Sequence, residues 1–219
     1  LPKTASLMEL DLQELRARLV VDGQVSAAGV TKTFPDTLEV RLAEREPVVR
    51  LRTEIAPGVE GALLVARDGV VFAGTGFTAP QLEKLPWLAG VRLTRAARGF
   101  VPVAGMPKAA ELLDQARRET PRLFATWRLV SIAALASDGE IEVRTTAGTT
   151  IVFGTKTGFF PQLAKLDALA EALAAAPAPP AKIDLSLGRE VPVSFAPTQK
   201  SATGVSLFKL PQPKSTREL

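Results

Sequence analysis

The sequence contains no histidine, no cysteine and no tyrosine. Without histidine there is no Ser-His-Asp triad, and without cysteine there is neither a thiolate nucleophile nor a Cys/His zinc set; haem ligation loses its usual ligands as well. Only chemistry driven by carboxylates, lysines or the substrate itself stays open. The aromatics are ten Phe and two Trp, too few for a surface on which bases stack. Zero cysteine also removes disulfides as a guide to compartment. No apolar run reaches the roughly 18 residues that cross a bilayer; the best candidate, 163–176, is interrupted by Lys165, Asp167 and Glu171. These absences favour binding over catalysis. They lead us to expect no enzyme, no cofactor and no metal.

What is present describes a globular chain. Of 219 residues, 46% are apolar and 23% charged, enough to bury a real core. The charge balance is 27 basic against 23 acidic, or +4. That is too slight an excess for a nucleic-acid binder.

Asp11 caps a first helix, with Glu14 at the capping-box spacing and Leu12, Leu15 and Leu19 on one face. Residues 25–34 and 38–42 read as two strands joined by the turn Phe34-Pro35-Asp36-Thr37, with another extended segment at 48–51. A second hairpin surrounds Asp68-Gly69. Thr78 opens a short helix carrying Leu82 and Leu85, and Pro107 a longer one to Glu119 with Leu112, Leu113 and Ala116 inward. Strands follow at 123–135, 140–145 and 149–153, then an amphipathic helix at 162–175 with its stripe at Leu163, Leu166, Leu169, Ala170 and Leu173. The last hairpin, 182–187 and 191–195, turns at Gly188-Arg189. Residues 197–219 read as a basic tail with one apolar island, 205–210, suited to docking on a surface.

The run from Leu7 to Val48, and above all the phrase FPDTLEVRLAEREPV, resembles the second half of a POTRA domain of the FtsQ/DivIB family of bacterial cell-division proteins. LLVARDGVVF, LPWLAGV, the helix at 162–175, KIDLSL and VSFAP extend the likeness through the region that forms the family's C-terminal β domain. The resemblance implies an α+β fold: a partial POTRA (helix plus β-hairpin) at 1–51, an antiparallel-sheet α+β domain at 52–196 ending in an edge hairpin, and the tail at 197–219. It also implies a membrane-spanning helix and the start of the POTRA ahead of Leu1. The place would be the periplasmic side of the inner membrane, and the role that of a divisome scaffold in septum formation. The partners would be the division proteins FtsB and FtsL, with FtsB added as a strand to the last hairpin. The residues placed at that contact are Ser186, Leu187, Val193, Ser194 and Phe195. Departures are Ser186, Leu187 and Phe195, where relatives often carry Arg, Tyr and Trp.

Each feature has a blander reading beside it. The last strand is also an ordinary edge blunted by Pro192 and the tail. Arg92, Arg95 and Arg98, with Arg117 and Arg118, form either an anionic-lipid or nucleic-acid patch or a solvated face. Glu44 and Glu46 invite a paired-carboxylate reading, against simple pairing of Glu44 with Arg41 or Arg45. Trp87 and Trp127 suit core or domain-junction packing. Two other classes stay in play. A POTRA-bearing module of an outer-membrane assembly or secretion system predicts a barrel or tandem POTRA domains. A carboxylate-dependent wall hydrolase predicts a cleft with two facing acids.

Overall fold

The computed structural model describes residues 8–21, 23–56, 58–195 and 205–208. They divide into two compact units: Leu1–Trp87 with Arg92–Pro107, and Leu88–Val91 with Lys108–Leu219.

The first unit opens with α1 (Leu12–Leu19). Asp11 Oδ1 accepts hydrogen bonds from the N–H groups of Gln13 (2.7 Å) and Glu14 (3.2 Å), which satisfies two of the donors a helix start leaves free. Leu12, Leu15 and Leu19 are half-buried. The ribbon of β1 (Val25–Thr33) and β2 (Thr37–Glu44) pairs in antiparallel register with Val30 opposite Val40. The Phe34–Pro35 bond at its tip is cis. Arg16 of α1 donates to the Val30 carbonyl at 3.1 Å.

After it come β3 (Pro47–Ala56), β4 (Val59–Ala66) and β5 (Val71–Phe72) in that spatial order, all antiparallel. The expected boundary at residue 51 falls inside β3. Beneath this sheet, Leu64, Ala66, Phe72 and Leu85 form a buried cluster with Phe77 and Leu82 against it. The short helix α2 (Ala79–Glu83) starts where Gln81 Oε1 accepts from the Thr78 N–H and hydroxyl, both at 2.9 Å.

Two side chains tie the ribbon to the sheet within this unit. Buried Gln24 donates to the Thr75 carbonyl (2.8 Å) and accepts from its N–H (2.9 Å). Arg45 donates to the carbonyls of Gly23 (2.8 Å) and Val25 (3.0 Å) while its Nε reaches Asp68 at 2.8 Å. The sequence offers Arg41 or Arg45 as a partner for Glu44; the structure sends Arg45 across to the Asp68-Gly69 turn. Arg41 instead meets Glu39 at 2.7 Å.

The second unit carries β6 (Trp87–Ala89, from Leu88 on), α3 (Met106–Glu119, from Lys108 on) and α4 (Pro121–Phe124). It continues with β7 (Trp127–Ser131), β8 (Glu140–Thr145), β9 (Thr150–Gly154), α5 (Phe159–Ala174), β10 (Pro180–Asp184), β11 (Val191–Phe195) and β12 (Val205–Phe208). Its strands lie in the order β12-β11-β10-β9-β8-β7-β6. Ala109, Ala110, Leu112, Leu113 and Ala116 of α3 are fully buried, as are Val130, Ile141, Val143 and Phe153 of the sheet. At about 1.5–3 kcal/mol per large buried side chain, this layer dominates the unit's stability. Trp127 is core, as anticipated, with ring centroids 5.6 Å from Phe124 and 5.5 Å from Phe153.

The α+β class stands, with three corrections. The strand expected over 123–135 shrinks to β7, because Pro121 starts α4 and a turn follows Ser131. The sheet is mixed rather than wholly antiparallel: β10 runs parallel to β9, since α5 carries the chain back to the end from which β9 started. Finally, β11 is not the outermost strand. Part of the expected tail, Val205–Phe208, forms β12 and pairs antiparallel with β11. The rest of the tail lies outside the described residues.

The C-terminal sheet border as candidate docking site

The expected partner-binding residues lie together on the β10–β11 hairpin, and the surroundings of that hairpin explain why. Gly154 ends β9, and buried Gln162, the fourth residue of α5, treats it as a neighbouring strand would. Its Oε1 accepts from the Gly154 N–H at 2.9 Å and its Nε2 donates to the Gly154 carbonyl at 2.7 Å. On the other side of Gly154, a Cβ would stand 3.0 Å from the Ser186 Cβ and 3.1 Å from its Cα. Glycine there lets Ser186 approach without displacement.

Ser186 follows β10 in a turn made by Asp184, whose Oδ1 accepts from the Ser186 N–H (3.0 Å) and hydroxyl (2.7 Å). Such Asx turns supply a bend without a backbone partner. Lys165 of α5 donates to the Gly188 carbonyl at the hairpin's tip, and Gly188 takes a φ of 79°.

Within this frame the five residues differ. Leu187 is 62% exposed, an apolar side chain left in water on the turn. Ser186 and Ser194 are half-buried, as is Phe195 at the end of β11. Val193 is fully buried opposite Ile183, so it offers a border its main chain and not its side chain. The border itself is occupied: Val191 pairs with Phe208, Pro192 with Leu207, Val193 with Ser206 and Ser194 with Val205.

The other candidates lie elsewhere. Glu44 and Glu46 are exposed, without the apolar pocket that raises a carboxyl into the acid–base range. Asp68, in the first unit, has a displaced titration. Burial pushes it up, but hydrogen bonds from Arg45 and the Val70 N–H, with the Arg45 charge, outweigh that and hold it below its ordinary value. Its role is structural. A depression of about 240 Å³ on the second unit's sheet, lined by Ala89, Leu129, Ser131, Glu142, Arg144 and Thr150, holds a single acid, not the facing pair a hydrolase needs. Arg92, Arg95 and Arg98 are exposed, with Arg95 over the Phe100 ring at 5.5 Å. Half-buried Trp87 lies under the guanidinium groups of Arg50 (4.3 Å) and Arg52 (5.3 Å).

Sequence reasoning passed over Gln162 and Gln24, and saw in Arg45 only a partner for Glu44. Gln162 had a signal: it precedes Leu166 by four residues and Leu169 by seven, a polar group on the apolar stripe of α5, and an inward amide must find partners.

Residues 1–45 match the family model described as "POTRA domain, FtsQ-type". The chain is 29% identical over 169 residues to the "Cell division protein FtsQ" of Mycobacteroides abscessus, an alignment covering 77% of this chain and 48% of that protein. The chain thus spans about half the length of the curated relative it matches.

Proposed function

We propose that this chain is a member of the FtsQ/DivIB family of bacterial cell-division proteins, which it resembles, and a non-enzymatic scaffold of the divisome. It works on the periplasmic side of the inner membrane and positions other division proteins during septum formation. The supporting observation is the FtsQ-type POTRA match continued by similarity to a cell-division protein over most of the chain. Among the described residues no helix is long and apolar enough to cross a membrane; in this reading the anchor is a segment outside the sequence given.

The docking place is the β10–β11 hairpin, and the partner is FtsB, acting with FtsL. Main-chain groups of β11 would receive an extended FtsB segment, the mode in which backbone hydrogen bonds give affinity and side chains at alternate positions give specificity. Leu187 and Phe195 supply the apolar contact, Ser186 and Ser194 its polar margin, and Val193 its backbone. The hairpin suits this work because Gln162, Lys165 and Asp184 fix it from behind.

The test is binding of purified FtsB to this chain by calorimetry, repeated with Phe195→Ala, Leu187→Ala and Val193→Pro. A buried aromatic anchor is worth roughly 1–2 kcal/mol or more, so Phe195→Ala should weaken binding about tenfold. Circular dichroism separates lost binding from lost folding in Val193→Pro, whose side chain is core. FtsB bound with full strength by all three folded variants removes the site assignment. FtsB bound by none of the forms, the unaltered chain included, removes the role.

A further inference from the structure

We infer that Val205–Phe208 is a resident strand, which holds the acceptor border of β11 until an extended segment of a partner displaces it. The inference rests on the docking role proposed above and adds regulation of that same site. Its ground is an asymmetry within the second unit. The acceptor, β11, is paired on its inner side to β10, and its Val191 and Val193 side chains are fully buried. The occupant, β12, is four residues long, and β11 is the only element with which it makes more than marginal contact among the described residues. A strand held by one short ladder contributes little stability of its own. The same four residues of β11 cannot pair with β12 and with an incoming strand at once.

The register states what an incoming segment must be. It is extended, at least as long as β12, and antiparallel to β11. Residues directly opposite one another in an antiparallel pair share a face. The positions opposite Val191 and Val193 therefore lie on the face where those two side chains are buried, whereas those opposite Pro192 and Ser194 lie on the other face. The resident strand is joined to β11 by residues 196–204. A short tether of this kind presents its strand at an effective concentration of ~1 mM or more. A partner in trans must overcome that concentration, so only a segment that fits better, or one held nearby, takes the border.

The probe is a synthetic peptide with the sequence of residues 203–210, titrated onto the full chain and onto a full-length Ser206→Pro/Leu207→Pro double variant. Proline at two successive positions removes whichever of the two N–H groups faces β11. If the border is at least about nine-tenths occupied by β12, the peptide binds the double variant about tenfold or more tighter than the unaltered chain, and it slows exchange of β11 amide hydrogens. Equal binding to both forms, or binding to neither, overturns the resident strand. So do β11 amides that exchange as slowly in the double variant without peptide as in the unaltered chain. FtsB is titrated in parallel. A comparable gain with the double variant supports displacement, whereas loss of FtsB binding there means that the partner builds on β12 and overturns displacement. A peptide gain with no FtsB binding to either form supports the resident strand and counts against FtsB as its competitor.

Discussion

Replacing Gln162 tests whether α5 holds the hairpin platform in place. In Gln162→Leu the side-chain volume is nearly kept, but the N–H and carbonyl of Gly154, both buried, lose their partners at 2.9 and 2.7 Å. Each orphaned group costs about 1–3 kcal/mol. Set against a gain of about 1 kcal/mol from burying an apolar side chain instead of an amide, the net loss is about 3 kcal/mol. For a chain of this size that lowers the melting transition of the second unit by about 6–12 °C, readable by scanning calorimetry. Gln162→Glu sharpens the test. Its ionised carboxylate accepts from the Gly154 N–H but faces the Gly154 carbonyl without a proton to give, whereas the neutral acid restores that donor. The folded-state pKa of the new group is therefore raised, the folded form binds the extra proton, and stability falls as pH rises through the unfolded and then the folded pKa. The Glu variant should approach the unaltered protein near pH 4 and fall furthest behind at neutral pH. A Leu variant within ~1 kcal/mol of the unaltered chain, or a Glu variant indifferent to pH, refutes the reasoning.

Three further outcomes follow from the geometry. Asp68→Asn should cost about 0.5–1 kcal/mol at pH 7, because the partner pair is half in water; since the native pKa lies below its ordinary value, the deficit shrinks as pH falls through it, measurable by urea unfolding at pH 7 and pH 3. Arg45→Met should cost more than Asp68→Asn in the same melts, because it also strips hydrogen bonds from the Gly23 and Val25 carbonyls, worth about 1–3 kcal/mol each where buried. Gly69→Ala should destabilise the first unit by several kcal/mol and leave the second unit's transition in place, since its Cβ would stand 2.5 Å from the Val103 carbonyl oxygen at a φ of 85°; an unchanged first transition contradicts this.

The sequence exposed those features that local rules control. Asp11 before an apolar stripe fixed the start of α1, and Asp68-Gly69 and Gly188 marked turns in which the glycine φ is positive. The stripes of α3 and α5 proved to be buried faces. Strand length was less visible. Arg50, Arg52 and Glu54 alternate with Leu51 and Thr53, yet a boundary set at residue 51 hid the continuation of β3. Strand direction escaped because alternation carries no sense of up or down; the strand–helix–strand order around α5 was the available clue. The five residues expected at a partner contact fall on one hairpin, but their unequal exposure depends on layers that sequence spacing does not rank. The apolar island at 205–210 was legible as a docking segment, whereas its berth was not, because four residues fit many borders.

The two sides of the C-terminal border are held by different means, and the proposed strand exchange depends on that difference. From within, β11 is placed by β10, which is placed by β9, whose last residue is gripped by Gln162. The turn between β10 and β11 is pinned separately by Lys165 and Asp184. None of these contacts involves β12, so removing that strand should leave the acceptor in position, with its main-chain groups exposed in register. A border that collapsed with its occupant gone would have to be rebuilt at each binding event, at a cost of about 1–2 kcal/mol for every residue reordered. A preformed one spares an incoming strand that penalty. Amide exchange separates the two cases directly: in the Ser206→Pro/Leu207→Pro chain, the groups of β11 that face β10 should keep their protection while those that faced β12 lose it. Loss on both sides would show that β12 shapes the border instead of only covering it.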